Sequence, residues 1–211
     1  MIRVLIADDH TLVREGLRQL LDGTPDIRVA GEAVNGDEAL ALVKENDYDL
    51  AVLDMSMPGI AGLELIKRIR LEKPRLRLLV LSMHGEAQYA ARALKAGASG
   101  YLTKDSASAQ LVGAIRKVAG GGVHISEAAA AQLVTGQGSA HAGEAAPHTR
   151  LSDREFEVFR LLVQGLGPTD IADRLHLSVK TVSTHKTRVL EKMGMQSTAD
   201  LVRYAVENKL S

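Results

Sequence analysis

The chain has 211 residues, 45% of them hydrophobic, and its 26 Lys and Arg balance 26 Asp and Glu. This composition is typical of a globular protein with one large or two small domains, and it excludes an intrinsically disordered chain. Cysteine is absent, which excludes disulfides and thiolate metal sites, and no apolar run reaches the about 20 residues of a membrane span. We therefore expect a cytoplasmic protein that does not contact membranes.

From residue 2 to about residue 119, short apolar runs alternate with amphipathic stretches. The predicted strands are Ile2–Ala7, Ile27–Ala33, 50–53, 76–81 and 100–102. Between them, stretches such as 12–21 and 61–69 repeat apolar residues at the i, i+3, i+4 spacing of a helix. Near-continuous apolar runs are typical of parallel strands covered on both faces. The pattern predicts an α/β fold, a doubly wound five-stranded parallel sheet with its working site at the carboxyl ends of the strands.

Residues 121–149 are rich in Gly, Ala, Ser and His, and hydrophobic periodicity fades after residue 134. This composition predicts a linker with a short helix near residues 127–134 and a flexible remainder. His141 and His148 have the chemistry of metal ligands, but the sequence places no carboxylate cluster beside them. We interpret both as linker residues.

From residue 151 the pattern is entirely helical. Ser152 and Glu155 match the S-x-x-E pattern of a capping box and open a helix that ends near Gln164. Pro168 begins the next predicted helix, 168–175, and Gly194 ends the following one, 179–193, before a last helix at about 198–207. A tight turn joins the second helix to the basic third, which predicts a helix-turn-helix in an all-α four-helix domain. The expected domains are residues 1–120 and 150–211, joined by the linker 121–149.

Each central strand of the first domain ends in a chemically active residue. Asp8 and Asp9 follow the first strand, Asp54 the third and Ser82 the fourth, and Lys104 follows the fifth. A parallel sheet brings these ends to one edge, where three carboxylates repel one another unless a cation holds them. With oxygen ligands alone, Mg²⁺ is the natural ion, and it pairs readily with a phosphoryl group.

The stretches L-I-A-D-D-H, A-V-L-D-M-S-M-P-G, L-S-M-H and Y-L-T-K-D resemble the receiver domain of two-component response regulators, a flavodoxin-like fold, over essentially residues 1–119. The resemblance implies that Asp54 accepts a phosphoryl group from a sensor histidine kinase. It also implies that Mg²⁺ is held by Asp8, Asp9, Asp54 and the backbone carbonyl of Ser56.

The same resemblance implies that Lys104 and Ser82 bind the aspartyl phosphate and that Tyr101 is the aromatic switch residue. It further implies that the chain is a stoichiometric phosphoacceptor with slow self-dephosphorylation, and not an enzyme. Many receivers have Lys-Pro after the fifth strand, where this chain has Lys104 and Asp105.

The stretches L-S-D-R-E-F-E-V-F-R-L-L-V-Q-G and I-A-D-R-L-H-L-S-V-K-T-V-S-T-H-K-T-R-V-L-E-K-M-G resemble the LuxR-type helix-turn-helix of the NarL/FixJ branch, over about residues 150–210. The resemblance places the helix 179–193 in the major groove of double-stranded DNA. It implies two sets of contacts: bases read by Ser183, Thr184 and Thr187, and phosphates bound by Lys180, His185, Lys186 and Arg188. The stretch G-L-G-P-T-D-I-A departs from the family pattern and lacks a lysine of the supporting helix.

These observations predict a transcription regulator whose promoter binding depends on phosphorylation and which forms a homodimer over two half-sites. Two alternatives stay open at the level of sequence. A Mg²⁺-dependent phosphatase of the haloacid-dehalogenase kind needs a second Asp two residues after the nucleophile, where this chain has Ser56. A ligand-sensing LuxR-type regulator that binds an acyl-lactone needs an apolar pocket, which the aromatic-poor first half does not indicate.

Overall fold

We describe the fold from a computed structural model of the chain. The structure describes residues 1–57, 59–60, 62–82, 87–127, 129–131, 146–175, 177–208 and 210, with the backbone alone at residues 87, 88, 149 and 153. The chain divides into two compact units, Met1–Thr135 and Gly136–Ser211.

The first unit is a parallel sheet with helices between successive strands. Its strands are β1 (Ile2–Ala7), β2 (Ile27–Ala33), β3 (Leu50–Asp54), β4 (Arg77–Ser82) and β5 (Gly100–Thr103). Its helices are α1 (Thr11–Asp22), α2 (Gly36–Glu45), α3 (Gly62–Glu72), α4 (Ala87–Ala96) and α5 (Lys104–Ala119). The strands lie in the order β2-β1-β3-β4-β5, all parallel, which confirms the predicted doubly wound fold.

The near-continuous apolar strands are buried because helices cover the sheet. Leu21 of α1 and Ile115 of α5 join one buried cluster with Val4 of β1 and Val52 of β3. Helix α3 packs against both α2 and α4, and the right-handed crossovers expected between parallel strands would bring these three helices onto the opposite face of the sheet. Each Å² of apolar surface removed from water contributes about 25 cal/mol to folding stability, so the packing of helices on the sheet is the main source of stability.

The three strands β3, β4 and β5 continue one residue further than their apolar runs. Asp54 pairs with Leu81, and Ser82 pairs with Thr103, so polar residues complete the ladder at its carboxyl edge. Helix α5 then begins at Lys104 without an intervening loop. The predicted strand ends were early because the hydrophobic pattern stops where the functional side chains begin.

The segment predicted as a linker contains ordered contacts at both ends. The backbone carbonyl of His124 accepts from Tyr101 N–H at 2.7 Å, beside β5. Residues 127 and 129–131 are helical, whereas residues 132–134 and His141 lie outside the described residues. His148 belongs to a 3₁₀ helix, Pro147–Arg150, and is buried with its Nδ1 2.5 Å from Tyr204 Oη. Its packing against Tyr204 explains why this histidine is not a flexible linker residue.

The second unit contains the four predicted helices, α6 (Asp153–Val163), α7 (Pro168–Leu175), α8 (Val179–Met193) and α9 (Thr198–Glu207). The capping box forms as predicted, because Ser152 Oγ accepts from Glu155 N–H and Glu155 Oε2 accepts from Ser152 N–H. Gly194 ends α8 in the left-handed conformation, with φ of 66°, where a side chain would be strained. Across the described part of the chain, no helix combines the length and apolarity needed to cross a bilayer.

Candidate functional site

The carboxyl ends of β1 and β3 bring buried carboxylates together. Asp8 and Asp54 are 1% and 2% exposed. The side chains of Asp8, Asp9 and Asp54 offer oxygen atoms that lie within 4.8 Å of one another, in a group that includes His10. Sequence-distant acids meet here because adjacent parallel strands end at one edge.

Lys104 supplies the positive charge within this cluster. Its Nζ is 2.6 Å from Asp8 Oδ2 and 3.0 Å from Asp54 Oδ2. Burial raises the pKa of Asp54, with Lys104 opposing and Asp8 reinforcing that change. Burial lowers the pKa of Lys104, but its contacts with Asp8 and Asp54 outweigh burial and the pKa is raised. The raised pKa of Asp54 therefore reflects mainly its burial, whereas the raised pKa of Lys104 reflects the two carboxylates that it contacts.

Three other predicted residues occupy the surroundings of Asp54. The backbone N–H of Ser56 donates to Asp54 Oδ1 at 3.2 Å. Ser82 is buried at the end of β4, the neighbour of β3. Tyr101 is 6% exposed, on β5. The structure therefore places the predicted serines by β3 and Tyr101 two strands away, inside the fold.

Two residues at this edge were not predicted as site residues. His10 donates its backbone N–H to Asp8 Oδ1 at 2.8 Å, and its Nδ1 lies 3.0 Å from Asp9 Oδ1. Arg14 Nη1 donates to the backbone carbonyl of Asp8 at 2.8 Å, which ties the first turns of α1 to the loop that carries the acids. The sequence signal for both is their position just after Asp8 and Asp9, in the turn that leads into α1.

Helix α8 presents five of the seven predicted DNA-contacting residues on one exposed face. Lys180, Ser183, Thr184, Thr187 and Arg188 are exposed, whereas Lys186 and His185 are partly buried. The three hydroxyl groups each donate to the carbonyl four residues earlier, at 2.9 to 3.1 Å. Since the hydroxyl hydrogens are engaged, the outward lone pairs act as acceptors.

Residues of α6 contact the C-terminal end of α8 and the last residue of α7. Lys192 Nζ lies 2.6 Å from Glu155 Oε2, and Arg154 Nη2 donates to the carbonyl of Leu175 just before the turn into α8. Burial, then the charge of Arg154, lowers the pKa of His185, whose Nδ1 has no hydrogen-bond partner among the described residues. A neutral imidazole offers a phosphate an N–H donor and no charge.

The supporting helix α7 has an acidic residue in its first turn that caps its start. Asp170 Oδ2 accepts from the backbone N–H of Gly167 at 3.2 Å, so this carboxylate stabilises the start of α7. Val182 and Val189 of α8 are fully buried, whereas Leu190 is partly buried.

Comparison with known proteins identifies both halves. Residues 4–116 match the family of response regulator receiver domains, and residues 149–205 match the bacterial regulatory proteins of the luxR family. The chain is a response regulator of the NarL/FixJ family. The regulator therefore consists of a receiver domain and a LuxR-type DNA-binding domain, which decides against the phosphatase and acyl-lactone alternatives.

The relatives of the regulator match it over its whole length. It is 35% identical to the response regulator UvrY of Escherichia coli K12, over 100% of this chain and 96% of UvrY. It is 36% identical to the oxygen regulatory protein NreC of Staphylococcus epidermidis, over 99% of each chain. A structure of RcsB from Salmonella typhimurium aligns with a TM-score of 0.77 at 29% identity, covering 98% of this chain and 97% of that one.

A second RcsB structure, from Salmonella enterica serovar Typhimurium, is bound to promoter rprA in the presence of the phosphomimetic BeF3⁻. It aligns with a TM-score of 0.70 at 28% identity, covering 96% of this chain and 97% of that one.

The acidic cluster of the regulator fits the divalent cation that receivers bind. Asp8, Asp9 and Asp54 carry three negative charges when ionised, and Lys104 returns one positive charge. The resulting net charge of −2, beside two buried carboxylates, is balanced by one divalent cation. Carboxylate oxygens are also the ligands that Mg²⁺ prefers.

Proposed function

We propose that the regulator accepts a phosphoryl group on Asp54 and thereby controls DNA binding by helix α8. The observation that supports this proposal is the contact of Lys104 with two buried carboxylates, Asp8 and Asp54, at one edge of the sheet. Buried acids with a shared ammonium are costly for stability, so their presence favours a functional role.

The chemistry follows from the groups at this edge. An Asp54 oxygen attacks the phosphorus of a phosphohistidine on a sensor histidine kinase, an Asp54 O–P bond forms and the kinase N–P bond breaks, leaving the kinase imidazole. Asp8, Asp9, Asp54 and the carbonyl of Ser56 would hold Mg²⁺, which would supply charge neutralisation for phosphoryl transfer. Lys104 turns from the carboxylates to the phosphoryl oxygens, and Ser82 donates its hydroxyl to them. Phosphate is used stoichiometrically and lost slowly by hydrolysis.

The output follows from movement of Ser82 towards the phosphoryl group. Tyr101 changes its packing in response, which favours a second state of the receiver. The regulator then binds double-stranded DNA as a homodimer on two half-sites, with Ser183, Thr184 and Thr187 reading bases and Lys180, His185, Lys186 and Arg188 binding phosphates. The three hydroxyl groups donate their hydrogens within the helix, so towards DNA they can only accept hydrogen bonds. We therefore expect them to favour bases that present amino donors in the major groove.

We assign residues 1–120 to the receiver, 121–149 to a linker that makes packed contacts at its two ends, through His124 and His148, and 150–211 to the DNA-binding domain. The promoter-bound RcsB relative and the cytoplasmic site of bacterial DNA support a regulator that works in the cytoplasm.

Phosphorylation is expected to tighten operator binding. Duplexes recovered by binding selection are measured by fluorescence anisotropy with the full chain, in Mg²⁺ with and without acetyl phosphate. We expect affinity to rise about tenfold with acetyl phosphate, a coupling of about 1.4 kcal/mol. Equal affinity in both conditions, with the protein shown to be phosphorylated, contradicts the proposed control.

Thr184 and Lys186 are expected to differ in the kind of binding they support. Thr184→Ala weakens specific binding about fivefold and leaves non-specific binding unchanged, because it removes one hydrogen bond to a base. Lys186→Ala weakens both, and the salt dependence falls by about one counterion. Thr24→Ala is the matched control, since its hydroxyl also bonds the carbonyl four residues earlier, that of Leu20, but lies in the receiver. If Thr184→Ala loses the same affinity for the operator and for random duplexes, Thr184 contacts the DNA backbone and does not read a base.

A further inference from the structure

His10 brings a nitrogen ligand to the edge of the acidic cluster. Its Nδ1 lies 3.0 Å from Asp9 Oδ1 and 3.3 Å from Asp8 Oδ1. The backbone N–H of His10 donates to Asp8 Oδ1, so the residue is tied to the cluster through its main chain as well. Its ligand atom lies within 4.8 Å of those of all three acids.

The spacing of these atoms matches the ligands of one metal ion. Two neighbouring ligands of an octahedral ion with bonds of about 2.1 Å lie about 3 Å apart. The distances from His10 Nδ1 to Asp9 and Asp8 have this size. The His10 side chain is 61% exposed, so it reaches the carboxylates from the solvent side.

The chemical type of the ligand atom determines which metal ion binds more tightly. Mg²⁺ takes oxygen ligands and gains little from an imidazole, whereas Mn²⁺, Co²⁺ and Zn²⁺ accept imidazole together with carboxylate. We infer that His10 is a metal ligand that gives the receiver site a preference for first-row transition-metal dications over Mg²⁺. This inference rests on the proposed cation site of Asp8, Asp9 and Asp54.

The same distances also fit a direct hydrogen bond from His10 to Asp9. In that arrangement a protonated His10 neutralises the carboxylates and competes with any cation. The two roles give opposite results when His10 is replaced, because loss of a ligand weakens transition-metal binding and loss of a competing charge strengthens binding of every cation.

Metal binding to the full chain without a histidine tag distinguishes these roles. We measure affinities for Mn²⁺, Co²⁺ and Mg²⁺ by calorimetry at pH 7.5 in the wild type, His10→Asn and His124→Asn. His124 is the matched control because it lies beside Gly100, at the start of β5 and away from the acidic edge. We expect His10→Asn to lose about tenfold or more in Mn²⁺ and Co²⁺ affinity and to keep its Mg²⁺ affinity, as is typical when support for a metal site is removed.

Pulsed electron paramagnetic resonance of the Mn²⁺-loaded wild type gives a test that needs no variant. A directly bound imidazole produces nitrogen modulation of the Mn²⁺ signal, and we expect it in the wild type and in His124→Asn but not in His10→Asn. Absence of this modulation in the wild type, or unchanged or tighter Co²⁺ binding by His10→Asn, overturns the inference while Mg²⁺ binding leaves the proposed cation site intact. Failure of the wild type to bind any of the three ions overturns the proposed cation site itself.

Discussion

Asp54→Asn is expected to abolish phosphate incorporation from acetyl phosphate. The amide has no nucleophilic oxygen anion, and the neighbouring Asp8 already holds Lys104 through Oδ2 and the His10 N–H through Oδ1. Labelling of the full chain in Mg²⁺, followed by mass measurement, should show one phosphoryl group in the wild type and none in the variant. The increase in operator affinity with acetyl phosphate should disappear with it.

The control for this variant is Asp105→Asn, the same chemical change on the exposed residue that follows Lys104. It should be labelled like the wild type.

Because burial raises the pKa of Asp54, the folded state retains its proton more readily than the unfolded chain. Stability from this group is therefore greatest below the pKa of the unfolded chain and falls as pH rises through the raised pKa of the folded state, so Asp54→Asn should unfold at a higher temperature than the wild type near pH 7. Undiminished labelling of a folded Asp54→Asn protein removes Asp54 as the phosphoacceptor.

Most of the fold could be predicted from the sequence because strand burial and helix capping leave local sequence patterns. Ile2–Ala7 and Ile27–Ala33 were predicted to the residue, and the S-x-x-E pattern at Ser152 and Glu155 forms its capping box. The errors at β3, β4 and β5 share one cause: Asp54, Ser82 and Thr103 are polar and yet continue the ladder. Hydrophobicity cannot mark the end of a strand that finishes in a functional residue.

The site was less predictable because its contacts depend on side-chain direction. The parallel strands end at one edge of the sheet and so bring Asp8, Asp54 and Lys104 together, and this proximity could be predicted from the topology. The approach of His10 to Asp9 depends on how the chain turns from β1 into α1, which no spacing rule describes. In α8, exposure of Thr184 follows from helical periodicity, but the direction of its hydroxyl towards Lys180 does not.

Lys104→Met is expected to destabilise the cation-free receiver by about 3–5 kcal/mol near pH 7. The methionine keeps most of the side-chain length and removes the ammonium that lies 2.6 Å from Asp8 and 3.0 Å from Asp54. Both carboxylates are buried, and breaking a buried ion pair leaves uncompensated charge. Thermal and urea unfolding of the full chain in chelator measures the loss.

The cause of that loss can be separated from lost packing by three further conditions. Lowering the pH protonates the carboxylates, so the difference from the wild type should shrink as pH falls through the raised pKa of Asp54. Added Mg²⁺ should recover part of the stability, and Asp54→Asn should recover part of it in the double variant, with a coupling of about 1–3 kcal/mol. A deficit that is the same at every pH, with Mg²⁺ and in the double variant, assigns Lys104 a packing role. Only the charge-dependent result fits a lysine that neutralises Asp54 and is released when phosphorylation supplies new oxygen partners.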